Sequence, residues 1–150
     1  MRDRYHIPAA LYKKILSVMP ILTVDIVIVD HGKFLLLKRA IPPAKGQWWT
    51  PGGRVIKGEK LEEAARRKAE EETGLRVNIV RLLGADGVLW PRSRFGVSSH
   101  TLSVVYLAKL ISAKKRVVVN FNNTEAKWFD RIPKKIHPFV KKFLREAGFR

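Results

Sequence analysis

Apolar positions along the chain sort it into short strands and three helices. After Pro8, Leu11, Ile15 and Val18 recur at helical spacing, and proline suits the opening of a helix. Residues 21–29 form an apolar run of strand length, with Asp25 the one charge inside it. His31-Gly32 makes a turn into a second strand over 33–39, so the two predict a hairpin. A loop with two prolines over 41–46 and a short extended piece over 47–50 lead to Pro51-Gly52-Gly53.

Residues 61–73 predict a helix, because Leu61, Ala64, Ala65 and Ala69 share one face and Gly74 is placed to close it. Strands are expected over 77–83, 97–110 and 116–120, with a loop from Gly84 to Arg94 and a short strand at Trp128-Phe129. The last helix has the clearest stripe, Ile136, Phe139, Val140, Phe143, Leu144 and Ala147, and Gly148 ends it. Strands and helices mix without regular alternation of the two. That predicts an α/β (α+β) fold with a mixed β-sheet and helices packed on it.

A length of 150 residues predicts a single domain over 1–150, and 46% hydrophobic residues are enough for a core. With no cysteine, disulfides, thiolate metal sites and a cysteine nucleophile are excluded. No apolar run reaches the roughly 18 residues of a membrane span. Met1 to Tyr5 has no apolar signal core, so a cytoplasmic protein without membrane contact is expected.

The formal net charge is +17, which attracts polyanions, nucleic acid included, but equally describes the lysine-rich surface of a thermophile. Its distribution says more. Six of the 13 acids, Glu59, Glu62, Glu63, Glu70, Glu71 and Glu72, lie between Lys57 and Arg76 among six bases. Clustered carboxylates repel unless cations intervene. Arg67 is spaced to pair with Glu63 and Glu71, and Glu70 falls on the solvent side. Glu72, seven residues after Ala65 and eleven after Leu61, continues the inward face. An inward carboxylate is costly without a cation. A carbonyl of the Gly52-Gly53 turn can approach the same cation, and such oxygens suit Mg²⁺.

The run from Gly53 to Leu75 resembles the Nudix box, G-x5-E-x7-R-E-U-x-E-E-x-G-U with U aliphatic. It matches at Gly53, Glu59, Arg67, Ala69, Glu71, Glu72, Gly74 and Leu75. One position departs: the Glu that follows the Arg, a metal ligand or base in many Nudix pyrophosphohydrolases, is Lys68 here. The GDP-mannose mannosyl hydrolase branch lacks the same Glu, and the chain is similar to it over roughly 10–110, through Met19-Pro20, Lys38-Arg39, Pro51-Gly52-Gly53-Arg54 and Phe95-Gly96. Lys127-Trp128-Phe129 matches a signature of that branch as well.

The resemblance implies an α/β/α sandwich and a Mg²⁺-dependent hydrolase of nucleotide sugars, with Mn²⁺ as substitute. Glu72, Glu71 and the Gly52 carbonyl would hold the metal. Arg54 and Arg67 would stabilise the leaving diphosphate or organise the metal glutamate. Asp25 and Arg39 would line the pocket, with Asp25 in the catalytic set. The branch carries a Gln-His pair, metal ligand and general base, where this chain has Asn122-Asn123. Asn122 retains an amide oxygen for the metal. Asn123 cannot accept a proton, so Glu125, His100 and Asp86 become substitute bases. Trp90 is placed to stack on a base, and His100 to contact substrate. Trp48 and Trp49 read as core, and His6, His31 and His137 as terminal, turn and helix-start residues. Related enzymes dimerise through the N-terminal segment, which implies a homodimer through 8–22.

In that branch water attacks the anomeric carbon and the nucleoside diphosphate leaves. A metal and arginines neutralise the departing charge, and the oxocarbenium-like carbon needs only modest deprotonation of the water. Two alternatives stand beside this. One is cleavage of the diphosphate in a compound such as ADP-ribose. The other is a weakly active domain that binds nucleotide or RNA, which the charge favours.

Overall fold

The computed structural model describes residues 6–111 and 116–150. Helix α1 (Ala9–Val18) leads into strand β1 (Ile21–Asp30), and a turn at His31-Gly32 returns the chain as β2 (Lys33–Arg39). Two short strands follow, β3 (Trp48–Trp49) and β4 (Gly52–Arg54), then α2 (Leu61–Thr73). The rest is β5 (Val77–Trp90), β6 (Ser99–Leu110), β7 (Asn123–Phe129) and α3 (Pro138–Glu146). One mixed sheet joins the strands in the order β3-β2-β1-β6-β5, with β4 on β1 and β7 on β2. Among the described residues only β1 and β6 run parallel; the other pairings are antiparallel.

Strand β1 is buried on both faces, which is why it reads as a continuous apolar run. Val24, Ile26 and Ile28 meet Ala64, Ala65 and Ala69 of α2 in one core. Val27 belongs to the opposite core, with Phe34, Leu36 and the Phe139, Val140, Phe143 and Leu144 stripe of α3. The fold is therefore a mixed α+β sandwich with helices on both faces. The alanines of α2 let it lie close on the sheet. Its first turn carries Glu62 and Glu63, favourable at a helix N-terminus, and the Glu63 carboxylate accepts the Lys60 N–H at 3.1 Å. Gly74 closes it in the left-handed conformation. Pro138 opens α3, and His137 Nδ1 accepts the Phe139 N–H at 3.1 Å.

Three expectations are corrected. The loop expected from Gly84 is strand through Trp90, because β5 pairs with β6 as far as Trp90 opposite Ser99. Irregularities near Ile79 and Leu82 let the strand bend, and at Gly84 a Cβ would lie 3.2 Å from the Phe143 ring. The glycine that reads as a turn is a packing site. Residues 116–120 form no strand. Val117 and Val119 do pack on the α2 core, and Val118 N donates to the Thr73 carbonyl at 2.9 Å, so the alternation is real without sheet pairing. The strand expected at Trp128-Phe129 begins at Asn123, because its polar start pairs with Arg39 and Lys38 of β2. Among the described residues no helix is long and apolar enough to cross a membrane.

Candidate active site

Pairing of β4 with β1 sets Gly52 opposite Asp25, and Gly52 N donates to Glu72 Oε2 at 3.0 Å. Gly52 and Gly53 thus belong to a short strand rather than a free turn. A Cβ at Gly52 would run into the Val24 carbonyl and the Asp25 carboxylate, so glycine is required there. These elements border a cleft of about 300 Å³. Asp25, Arg39, Gly52, Arg54, Glu72 and Asn122 line it, with Trp90 in the wall and Tyr12 and Phe95 also on it.

Glu72 is only 6% exposed, as its inward position on α2 predicts. Burial raises its pKa, against the pull of Lys68, the Gly52 N–H and Arg39. Asn122 Oδ1 is buried with no hydrogen-bond partner, and Asn122 lines the same cleft. An orphaned amide oxygen in the same cleft as a buried carboxylate leaves acceptors there to be filled. Among the described residues no group of three or more His, Asp or Glu side chains is placed to hold a metal. A hard divalent ion still fits here, since Mg²⁺ takes one or two carboxylates and fills its shell with carbonyl, water and phosphate oxygens. Glu72, Asn122 and Gly52 would hold it.

Arg39 Nε donates to the Pro43 carbonyl at 2.7 Å, which fixes its direction beside the cleft. Arg54 places its guanidinium 5.2 Å from the Tyr12 ring centroid. Arg67 does not line the cleft. It donates to Glu59 at 2.6 and 2.9 Å, to both Glu71 oxygens at 3.2 Å and to the Arg54 carbonyl at 3.1 Å. It therefore clamps the segment after β4 onto α2 and makes no hydrogen bond to Glu72, the carboxylate that lines the cleft. Glu71, expected on the metal, is exposed and shared by Arg67 and Lys68, which hold its pKa low.

The substitute bases are not brought to the cleft. His100 is exposed on β6 beside Gly87 and borders a separate groove with Met19 and Leu89. Asp86 pairs with Lys142 at 2.7 Å, and exposed Glu125 lies 3.8 Å from Lys38. Trp90 packs on Trp49 and His137, with centroids 5.4 Å away in each case, so it serves as wall more than as a free stacking face. Asn123 is buried, and its amide donates to Asn120 Oδ1 at 3.2 Å.

Asp25 is held by three donors: Trp49 Nε1 at 3.1 Å, Thr50 Oγ1 at 2.7 Å and Ser103 Oγ. It is a fixed part of the cleft floor, not a mobile proton carrier. Burial pushes its pKa from 3.8 up to about 6. The folded state then holds this proton more tightly than the unfolded one. The stability so gained is complete below about pH 4 and is lost as pH rises through about 6, an effect of up to about 3 kcal/mol. Asp25→Asn should flatten this part of the stability profile. Urea unfolding of both proteins at pH 4.5 and pH 7 measures it, and an equal decline in the variant would contradict it.

Two features escaped the sequence reading. Tyr12 and Phe95 form an edge-on pair at 5.5 Å on the cleft, and no spacing joins them. Lys68 turns its side chain into the cleft as well. Its position four residues before Glu72 and four after Ala64 was the available signal.

Fold and cleft together define a mixed-sheet α/β domain with cations gathered about a buried helix carboxylate. The NUDIX domain profile matches residues 19–146, and the chain belongs to the Nudix hydrolase family. Members of the family use divalent metals such as Mg²⁺ or Mn²⁺. The chain is 32% identical over 140 residues to the low-salt glycan biosynthesis protein Agl8 of Haloferax volcanii, covering 92% of this chain and 88% of that one. It is 34% identical over 111 residues to the ADP-ribose pyrophosphatase of Methanocaldococcus jannaschii, covering 74% of this chain and 62% of that protein. Among solved structures it is similar to a MutT Nudix hydrolase from Burkholderia pseudomallei, with TM-score 0.73 and 30% identity, over 87% of this chain and 99% of the other.

Proposed function

We propose that this single domain is a metal-dependent hydrolase of nucleoside diphosphate sugars, of the GDP-mannose type, releasing sugar and nucleoside diphosphate. The carrying observation is what lines the cleft: Arg39, Arg54 and Lys68 beside Glu72 and the orphaned Asn122 oxygen. That set suits a departing diphosphate. No histidine lines the cleft among the described residues, and Asp25 already accepts from three donors. Chemistry that depends on the leaving group tolerates such a site better than attack on phosphorus, since a general base is worth about 10²–10⁴-fold. A bound metal supplies charge neutralisation at the diphosphate. Arg39 and Arg54 orient it, and Trp90 helps to close the wall. Similarity to a glycan biosynthesis protein supports a sugar substrate. Exposed Leu11, Val18, Met19 and Leu22 support a homodimer through the N-terminal segment.

Similarity to an ADP-ribose pyrophosphatase favours a second reading, cleavage within the diphosphate. Phosphorus NMR of products from GDP-mannose, UDP-glucose and ADP-ribose with Mg²⁺ separates the two. Nucleoside diphosphate and free sugar are expected. Nucleoside monophosphate and a sugar phosphate would establish the second reading. No product from any substrate, with salt-sensitive retention of RNA, would replace both with a binding role.

A further inference from the structure

Lys68 stands where it alters the charge of the whole cleft. Its side chain is 15% exposed, and Nζ donates to Glu71 Oε2 at 3.0 Å. The stem lies against Gly53, where a Cβ would collide with Lys68 Cε, so the glycine holds open the path that the lysine takes. Lys68 lines the same cleft as Glu72, Arg39 and Arg54. Glu59 and Glu71 are engaged by Arg67, and Glu71 is shared with Lys68. Glu59 and Glu71 are thus ion-paired with Arg67 or Lys68, whereas Glu72 lines the cleft and accepts the Gly52 N–H. Two carboxylates line the cleft, and Asp25 is already taken up by three neutral donors, which leaves Glu72 as the carboxylate for one divalent ion. A second ion near Glu71 would meet the ammonium instead of a ligand, a like-charge contact costly in a poorly solvated site.

We propose that Lys68 is a resident cation of the site: its ammonium stands in place of a second divalent ion, limits the cleft to one metal, and binds the diphosphate directly. The diphosphate contact rests on the proposed substrate class; the metal count does not. A lysine is a compact point charge with three donors, suited to phosphate oxygens, and its stem over Gly53 directs it to the cleft.

The test counts bound Mn²⁺ on the intact protein by electron paramagnetic resonance, and measures GDP affinity by calorimetry at saturating Mn²⁺. Wild type should bind one Mn²⁺ per chain. Lys68→Glu should take up a second. Lys68→Met keeps the stem without the charge; it should still bind one ion while losing roughly ten- to a hundredfold in GDP affinity, the scale of one charge-assisted hydrogen bond. Two ions in wild type, a single ion in Lys68→Glu, or unchanged GDP affinity in Lys68→Met each overturn the inference. Failure of every nucleotide sugar to react would sink the proposed reaction and leave these counts standing. A second ion in wild type would sink this inference while hydrolysis proceeds.

Discussion

Glu72→Gln should lower turnover by about 10²–10³-fold without unfolding the protein, the scale seen when one preorganised electrostatic group is removed from an active site. Glu72 and Asp25 are the two buried carboxylates that line the cleft, and a Glu72 oxygen accepts the Gly52 N–H. Glutamine keeps the shape and an acceptor for that N–H but loses the charge. Asn122 and a backbone carbonyl then remain as neutral oxygens, too weak a set for a hard divalent ion. Mn²⁺ affinity should therefore fall together with turnover. Full activity with unaltered metal affinity in Glu72→Gln would show that Glu72 does not hold the metal. Glu71→Gln should be much milder, because Glu71 is exposed and already carries two cationic partners.

The largest expected loss of stability lies on the other face of the sheet. Phe143→Ala should cost about 3–5 kcal/mol, the range for emptying a well-packed aromatic position. Phe143 is 2% exposed, its ring centroid is 5.0 Å from that of Phe139, and it fills the space left by Gly84. Strand β5 passes that point at its bend, so the strand cannot collapse into the hole without losing its register with β6. Urea unfolding measures the loss, and a change below about 1 kcal/mol would show that α3 is only loosely seated.

Much of the scaffold was legible because burial leaves a periodic trace. The alanine face of α2 and the aromatic stripe of α3 are periodic at helical spacing, and β1 is apolar because both of its faces are covered. Glu72 was legible for the same reason: it continues the alanine face. The misreadings have a common cause in residues whose local preference yields to tertiary contacts. Gly84 and Gly87 look like loop residues but belong to a bent strand. Residues 116–120 alternate as a strand does but cover the end of α2 without pairing. Asn123 to Lys127 look too polar for a strand, yet they sit beside β2. Within the cleft, the helical spacing of the box pointed Glu72 inward but could not separate lining residues from clamping ones. Arg67 and Glu71 belong to the clamp because Glu59 closes on Arg67 across the segment after β4, a contact that depends on how that segment folds back.

On the proposed function, one divalent ion would sit among Glu72, Gly52 and Asn122 and help carry a diphosphate. An anomalous difference map from crystals soaked with Mn²⁺ and GDP, recorded at the manganese edge, tests it most directly. One peak per chain, in contact with Glu72 and the Asn122 amide oxygen and bridged to the GDP phosphates, is the predicted result. A peak elsewhere in the molecule, or GDP bound outside this cleft with Asn122 still unpartnered, would contradict it.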